Sequence, residues 1–281
     1  ENTNAAIEAA TGEFVVFADH DDELTAHALY ECVKALNEKP ETEVLYSDED
    51  KMTMDGHKFF QPHFKPDFNL DLLRSNNYIC HFFVVRREIA EKTGGLRPEY
   101  NGAQDYDYIF RCTEMAGKIV HIPRVLYHWR VHSASTADNP ASKLYAYEAG
   151  KKAIEGNLAR CGEEGTVTLR SDYGFYDVDY KLQGTPLVSI LIPNKDQADT
   201  LRTCIESIRK KCTYPTFEIL VIENNSTEEA TFSYYKELEA QGIRVLQYPK
   251  QGFNYSAINN FGVKEAKGEY LLFLNNDMEI I

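Results

Sequence analysis

The stretch FVVFADHD, Phe14 to Asp21, recurs near the other end of the chain as YLLFLNND, Tyr270 to Asp277. A Gly-Glu pair leads each copy, Gly12-Glu13 and Gly268-Glu269, 256 positions apart. The same offset pairs Asn4 with Asn260, Ala10 with Ala266, Phe17 with Phe273 and Glu23 with Glu279. Each copy reads as an amphipathic helix, a glycine, a buried strand and then acidic residues at the strand end. Ligands of α/β sheets collect at the carboxyl ends of strands, so carboxylates there are candidates for a metal and phosphate site. Copies at the two ends of the chain imply parts of two related domains rather than a duplication within one fold.

Composition narrows the function classes. A chain of 281 residues suits one large domain or two modest ones, and 43% hydrophobic residues supply a core. The net charge of −14 argues against a nucleic-acid partner. No apolar run approaches the roughly 20 residues of a membrane helix. The opening ENTNAAIEAA has neither the basic nor the apolar region of a signal peptide. Starting on Glu1, the chain is expected to be an internal fragment of a longer protein. The six cysteines form no CxxC pair and no zinc spacing, which fits reduced thiols and a cytoplasmic setting.

Outward from the first copy, the pattern predicts a helix over Thr25–Asn37 and a strand over Val44–Tyr46 followed by acidic Ser47 to Asp50. A long surface loop is expected over Met52–Phe68. A strand over Tyr78–Arg86 and helices over Arg87–Thr93 and Asp105–Ala116 follow. Strands are predicted at Lys118–Ile122 and Val125–Arg130, and a helix over Ser142–Arg160. After a polar seam, strands at Leu187–Pro193, Phe217–Glu223, Ile243–Tyr248 and Tyr270–Leu274 alternate with helices. That alternation predicts a mostly parallel sheet covered on both faces.

Four clusters carry chemistry, each with a plainer reading beside it. Asp19-His20-Asp21-Asp22 places three carboxylates within four residues. Asp19 and Asp21 point to the same side of a strand end, and one or both fit Mg²⁺ or Mn²⁺ with diphosphate oxygens. A solvated acidic turn with Asp22 as a helix cap fits equally. His128-Trp129-Arg130 with His132 offers a metal ligand, a sugar-stacking indole and a diphosphate-pairing guanidinium, or else a surface strand with an anchored Trp. Asp105, where a helix begins, is either a general base or an N-cap. Glu223-Asn224-Asn225-Ser226 after a buried strand, like Pro193-Asn194, fits a nucleoside contact or an Asx-rich turn. No GxGxxG or Walker A motif is present.

Taken in order, the motifs resemble the family 2 glycosyltransferases of GT-A fold. The opening half of such a domain is matched by VSILIPNKDQADTL, EILVIENNSTEEA and NNFGVKEAKGEYLLFLNND, between Val188 and Asp277. The closing half is matched by Gly12 to Asp22, YSDED, FKPDF, Gly94 to Arg97, Gln104 to Arg111 and Leu126 to Ser135. The halves stand in inverted order. The resemblance therefore implies an α/β fold of GT-A, Rossmann-like elements. Residues 1–183 would be the C-terminal metal and acceptor part of one domain, and 184–281 the N-terminal, nucleoside-binding part of a second.

The resemblance also implies roles. Asp19 and Asp21 would form a DxD motif, with Asp21 the direct ligand of Mg²⁺ or Mn²⁺. His128 or His132 would complete the metal or diphosphate site, and Arg130 would pair with the diphosphate. Asp105 would be the base that deprotonates the acceptor in an inverting transfer. Pro193, Glu223 and Asn225 would contact the nucleoside, and Asn275 and Asp277 would stand at the second DxD. The implied partners are a nucleotide-diphospho-sugar donor and a glycan or lipid-linked glycan acceptor. The parent is expected in the cytoplasm or at the inner face of the membrane, making surface polysaccharide, and the fragment alone is expected to be inactive. A nucleotidyltransferase and a non-catalytic carbohydrate-binding module are the competing readings.

Overall fold

A computed structural model describes residues 2–131 and 144–281. The chain divides into two units, Glu1–Lys181 and Leu182–Ile281. In chain order the first holds α1 (Asn2–Ala9), β1 (Phe14–Phe17), β2 (Glu23–Leu24), α2 (Ala28–Glu38), β3 (Val44–Met52), β4 (Phe59–His63) and α3 (Leu70–Ser75). It continues with β5 (Phe83–Arg86), α4 (Arg87–Thr93), α5 (Gln104–Met115), β6 (Ile119–Arg130), α6 (Leu144–Cys161), β7 (Gly165–Leu169) and β8 (Tyr176–Tyr180).

The main sheet of this unit runs β1-β5-β3-β6-β2, with β4 added on β3. It is mixed: β3 and β6 are parallel, whereas β5 runs antiparallel to both β1 and β3. Side chains alternate across a strand, so each strand feeds two cores. Val44 and Tyr46 of β3 join Phe83 and Val85 of β5 under Ile89, Phe110 and Ile154 of the helices. Leu45 and Val84 face the opposite side with Ala28 and Cys32 of α2. The buried guanidinium of Arg74 in α3 bonds to Asn157, Glu163 and Tyr180, tying α3 to α6 and to the β7–β8 hairpin.

Several sequence expectations need correction here. The strand expected over Val44–Tyr46 does not stop there: the acidic Ser47 to Asp50 segment continues β3, and Asp48 and Glu49 are buried in it. Their charges meet His121 and Lys65, so the strand need not end where hydrophobicity ends. The expected loop after Met52 folds back as β4, whose Pro62 is tolerated because β4 is an edge strand. The two strands expected around Pro123 are one, β6. Its pairing with β3 shifts register beside Pro123, where the missing N–H cannot join a ladder.

The second unit holds β9 (Val188–Asn194), α7 (Ala198–Lys211), β10 (Phe217–Glu223), α8 (Glu229–Ala240), β11 (Arg244–Gln247), α9 (Tyr255–Glu265) and β12 (Tyr270–Phe273). Its sheet, β11-β10-β9-β12, is parallel throughout. Leu201, Ile205, Tyr235 and Leu238 of α7 and α8 cover one face, and Ile258 of α9 sits on the other. Coverage stops short of β12, whose four side chains are all exposed.

The repeated strand is thus an edge strand in both units, but it keeps a different neighbour in each. Tyr270 and Leu274 donate to Leu187 and Leu191 carbonyls on the β9 side. Their counterparts in the first copy are Phe14 and Ala18, yet there it is the carbonyl of Glu13, the residue before Phe14, that accepts from Arg87. Adjacent residues of a strand present their backbone groups to opposite edges. β12 is therefore paired along one edge and β1 along the other.

The repeated glycines differ accordingly. A Cβ at Gly268 would lie 2.6 Å from the Ser189 nitrogen and 2.7 Å from the Leu187 oxygen, both backbone. A Cβ at Gly12 would meet nothing closer than the Phe14 oxygen at 3.2 Å. Gly268→Ala is expected to cost about 1–3 kcal/mol by overpacking. Gly12→Ala should stay within about 1 kcal/mol of wild type, because its loss of unfolded-state entropy partly offsets the contact. Urea unfolding of the two variants measures the difference; equal midpoints would contradict it.

Candidate functional site

β1 delivers its carboxyl end to a cavity of about 900 Å³ in the first unit. Asp19, His81, Asn77, Asp105 and Tyr127 line it together, from four separate stretches of chain. One carboxylate oxygen of Asp19 lies 3.9 Å from Nε2 of His81. Asp19, Asp22 and His81 each offer a ligand atom, and the three atoms lie within 4.8 Å of one another. This is the only such group among the described residues.

β6 fixes the acidic turn. The Tyr127 hydroxyl accepts from the Asp19 N–H at 3.1 Å and donates to the Asp22 carboxylate. The other Asp22 oxygen accepts from the Arg130 N–H at 2.8 Å. Asp22 is therefore no helix cap; α2 begins later, with His27 in the cap position. Burial raises the Asp19 carboxyl, His81 opposes that, and the charges of Asp22, Asp105 and Asp21 add to it. A divalent cation would relieve this crowding. Two carboxylates and an imidazole suit a first-row divalent ion, so the donor set fits the implied metal.

Beneath His81 lies a buried ionic network. The Lys65 ammonium, fully buried, donates to Glu49 Oε2 at 3.0 Å and to the carbonyls of Ile79 and Cys80. The same Glu49 oxygen accepts the His81 backbone N–H at 2.5 Å and lies 3.7 Å from Nδ1 of the ring. Burial works against the Glu49 charge, but the imidazoles of His63 and His81, each 3.7 Å away, and the charge of Lys65 outweigh it and hold the carboxyl well below its usual range. Burial likewise disfavours a charged His81, yet Glu49, Asp19 and Asp105 raise its pKa.

Asp105 sits in the first turn of α5, where the helix N-terminus favours negative charge. It is not the N-cap: that position is Ala103, with no side-chain capping bond. Asp105 accepts from Asn77 Nδ2 at 3.0 Å instead, on the cavity wall.

Other expected residues lie elsewhere. Asp21 neighbours His20 at 3.8 Å and is outside the three-ligand cluster. His128 is held by Asp50 at 2.5 Å, and its ring packs on Phe59. Arg130 spends its guanidinium on the Asp21, Thr53 and Met54 carbonyls and on Glu23. It clamps the 21–23 turn to the tip of the β3–β4 hairpin. Trp129 packs on His81 and under Lys51. His132 lies outside the described residues.

In the second unit Pro193 and Asn194 end β9, and Glu223 ends β10. Glu223 is buried and accepts from Ser226 N–H, Ser226 Oγ and the Tyr235 hydroxyl. Asn225 stands at φ 62° and donates to the Lys250 carbonyl. The Asn275 carbonyl accepts from the Cys204 thiol, and Asp277, in the turn beyond, adds to the burial that raises that thiol's pKa. Asn276 reaches Asn194 at 2.7 Å.

Sequence reasoning overlooked His81, Asn77, Glu49 and Lys65. A lone histidine inside CHFFVV carries no periodic or spacing signal. The one usable hint was the charge of Lys65 amid the aromatics of FKPDF.

The Glycosyl transferase family 2 model matches residues 1–94 and 189–281. The chain is 44% identical over 279 residues to the O-antigen biosynthesis protein RfbC of Myxococcus xanthus, covering 99% of this chain and 22% of that protein. It is 39% identical over 284 residues to the uncharacterized protein y4gI of Sinorhizobium fredii, covering 99% of this chain and 31% of that one. The chain thus spans less than a third of either curated relative. Among solved structures, S. aureus TarS 1-349 in complex with UDP aligns over 55% of this chain and 43% of its own, at 20% identity and a TM-score of 0.41.

Removing one member of a buried ion pair strands the other, which costs about 3–5 kcal/mol, whereas removing both costs far less. Lys65→Met is therefore expected to destabilise the chain by that amount, and Glu49→Gln/Lys65→Met by much less. Urea unfolding of the two variants is the check, and a double variant as unstable as the single would refute the pairing.

Proposed function

We propose the following activity for this chain, which belongs to glycosyl transferase family 2: transfer of a sugar from a nucleotide-diphospho-sugar to a hydroxyl of a glycan or lipid-linked glycan acceptor. The transfer proceeds with inversion, uses Mg²⁺ or Mn²⁺, and serves cell-surface polysaccharide synthesis on the cytoplasmic side. The observation that carries this reading is the single cavity shared by Asp19, His81 and Asp105. A carboxylate–imidazole cluster suits a charged diphosphate leaving group, and a carboxylate across the cavity suits a base. The 44% identity to a protein named for O-antigen biosynthesis supports the polysaccharide role.

Asp19, Asp22 and His81 are the residues that would hold the cation, which supplies positive charge for the departing nucleoside diphosphate. Asp105 takes the proton of the acceptor hydroxyl as the oxygen attacks the anomeric carbon from the face opposite the leaving group. Asn77 orients that carboxylate through its amide N–H. The Cys80 thiol beside it stays protonated, because burial and the Asp105 charge raise its pKa well above the ordinary value.

The tandem reading belongs to the same proposal. Residues 1–183 supply the metal and acceptor part of one transferase domain, and 184–281 the nucleoside-binding part of another. The family match falls in two segments, one in each unit, which supports this. So do the repeated edge strands, paired along opposite edges. Pro193, Glu223 and Asn225 then stand at the strand ends of the second donor site, with Glu223 shaping the turn from within.

Loss of a positioned general base typically costs about 10²–10⁴ in rate. Asp105→Asn in the full-length protein should lose sugar transfer by at least that lower factor, assayed with a panel of nucleotide-diphospho-sugars. Donor binding by calorimetry should persist. Turnover at the wild-type rate would remove Asp105 from the role.

A further inference from the structure

Of the cation-site groups, His81 is the one the fold holds most tightly. Asp19 is largely exposed, its side chain 64% accessible, and is steadied only through its backbone. Asp22 already accepts one hydrogen bond on each oxygen. The His81 ring is parallel to Tyr127, 7° between planes with centroids 5.4 Å apart, and Trp129 closes on it at 4.8 Å. Its backbone N–H is fixed by Glu49, and Lys65 holds both Glu49 and the two carbonyls just before His81. Nε2 lies 3.9 Å from Asp19, and Nδ1, a buried nitrogen 3.7 Å from Glu49, makes no hydrogen bond to it. Metal-bound imidazole usually donates its other N–H to a carboxylate; here Glu49 stands on that side of the ring, 3.7 Å from Nδ1.

We propose that His81, rather than a histidine of β6, supplies the imidazole ligand of the cation site at Asp19 and Asp22, and that this nitrogen makes the site select Mn²⁺ over Mg²⁺. Mg²⁺ takes oxygen ligands in a strict octahedron and keeps its waters, so an imidazole fixed in the shell favours the transition ion. Glu49 is the positioning residue: it acts on the metal only through His81. His128 does not contribute: it lies outside the group of ligand atoms that fall within 4.8 Å of one another, and its ring packs on Phe59. The inference rests on reading this cavity as the donor site.

The test is Mn²⁺ binding to the 281-residue chain, followed by electron paramagnetic resonance of the free ion, with Mg²⁺ as competitor. Wild type should bind Mn²⁺, and equimolar Mg²⁺ should displace little of it. His81→Ala should weaken Mn²⁺ at least tenfold, on the scale of metal-site disruption, and narrow the preference over Mg²⁺. His128→Ala should bind as wild type does. His81→Cys is the second variant: it should lose Mn²⁺ and gain Cd²⁺, since a thiolate selects the softer ion, a gain that misfolding cannot produce. Absence of Mn²⁺ binding by wild type overturns the inference. So does unchanged binding by His81→Ala, a loss confined to His128→Ala, or His81→Cys without Cd²⁺ affinity. These outcomes are separate from the transferase reading, which stands or falls on transfer by Asp105→Asn.

Discussion

A buried ion pair between Lys65 and Glu49 sets the geometry of the first unit's cavity. Taking two charges out of water costs several kcal/mol each, which only close pairing and full hydrogen bonding offset. Here the ammonium spends its three donors on Glu49 and the carbonyls of Ile79 and Cys80. The chain before β5 is thereby pinned to β3, and β5 must pair with β1 just beyond it. His81 is brought against Asp19 as a consequence. The imidazole that faces the acidic turn is placed by a lysine sixteen residues before it.

The acidic turn itself would not hold without β6. Three carboxylates in four residues repel one another, and Tyr127 and Arg130 keep them in register by binding Asp22 and the Asp19 and Asp21 backbone. Arg130 acts here as a clamp, its guanidinium bonded to backbone carbonyls and Glu23. The second copy of the turn has lost these demands. Asn275 and Met278 stand where the first copy has Asp19 and Asp22, and Asn194 and Asn276 join the strand ends by a neutral amide bond. One copy gathers carboxylates and an imidazole, and the other joins its strand ends through amides.

Much of the fold was legible in the chain. Ala198–Lys211 and Phe217–Glu223 form the helix and strand their apolar spacing predicts, because each buries one regular face or run. Asp105 was legible as a residue of interest from its place at the start of a helix. The misreadings share a cause. The strand predicted over Val44–Tyr46 stops short because the charges that follow it meet residues distant in sequence, Lys65 and His121. Leu70–Ser75 escaped notice because six residues hold too little periodic pattern, and its anchor, Arg74, finds its partners more than eighty positions on.

By itself the sequence determined the repeat, the strand–helix order of the second unit, the two-part organisation and the family resemblance. Each of these is a matter of local spacing or of motif order along one dimension. Only the tertiary structure decided which edge of each repeated strand is paired, which carboxylates cluster and which histidine joins them. Asp19, His81 and Asp105 share a cavity because β5 lies between β1 and β3 and because Lys65 fixes the approach to β5. Neither fact is local, since strand order and buried charge pairing depend on residues that meet only after the chain has closed on itself.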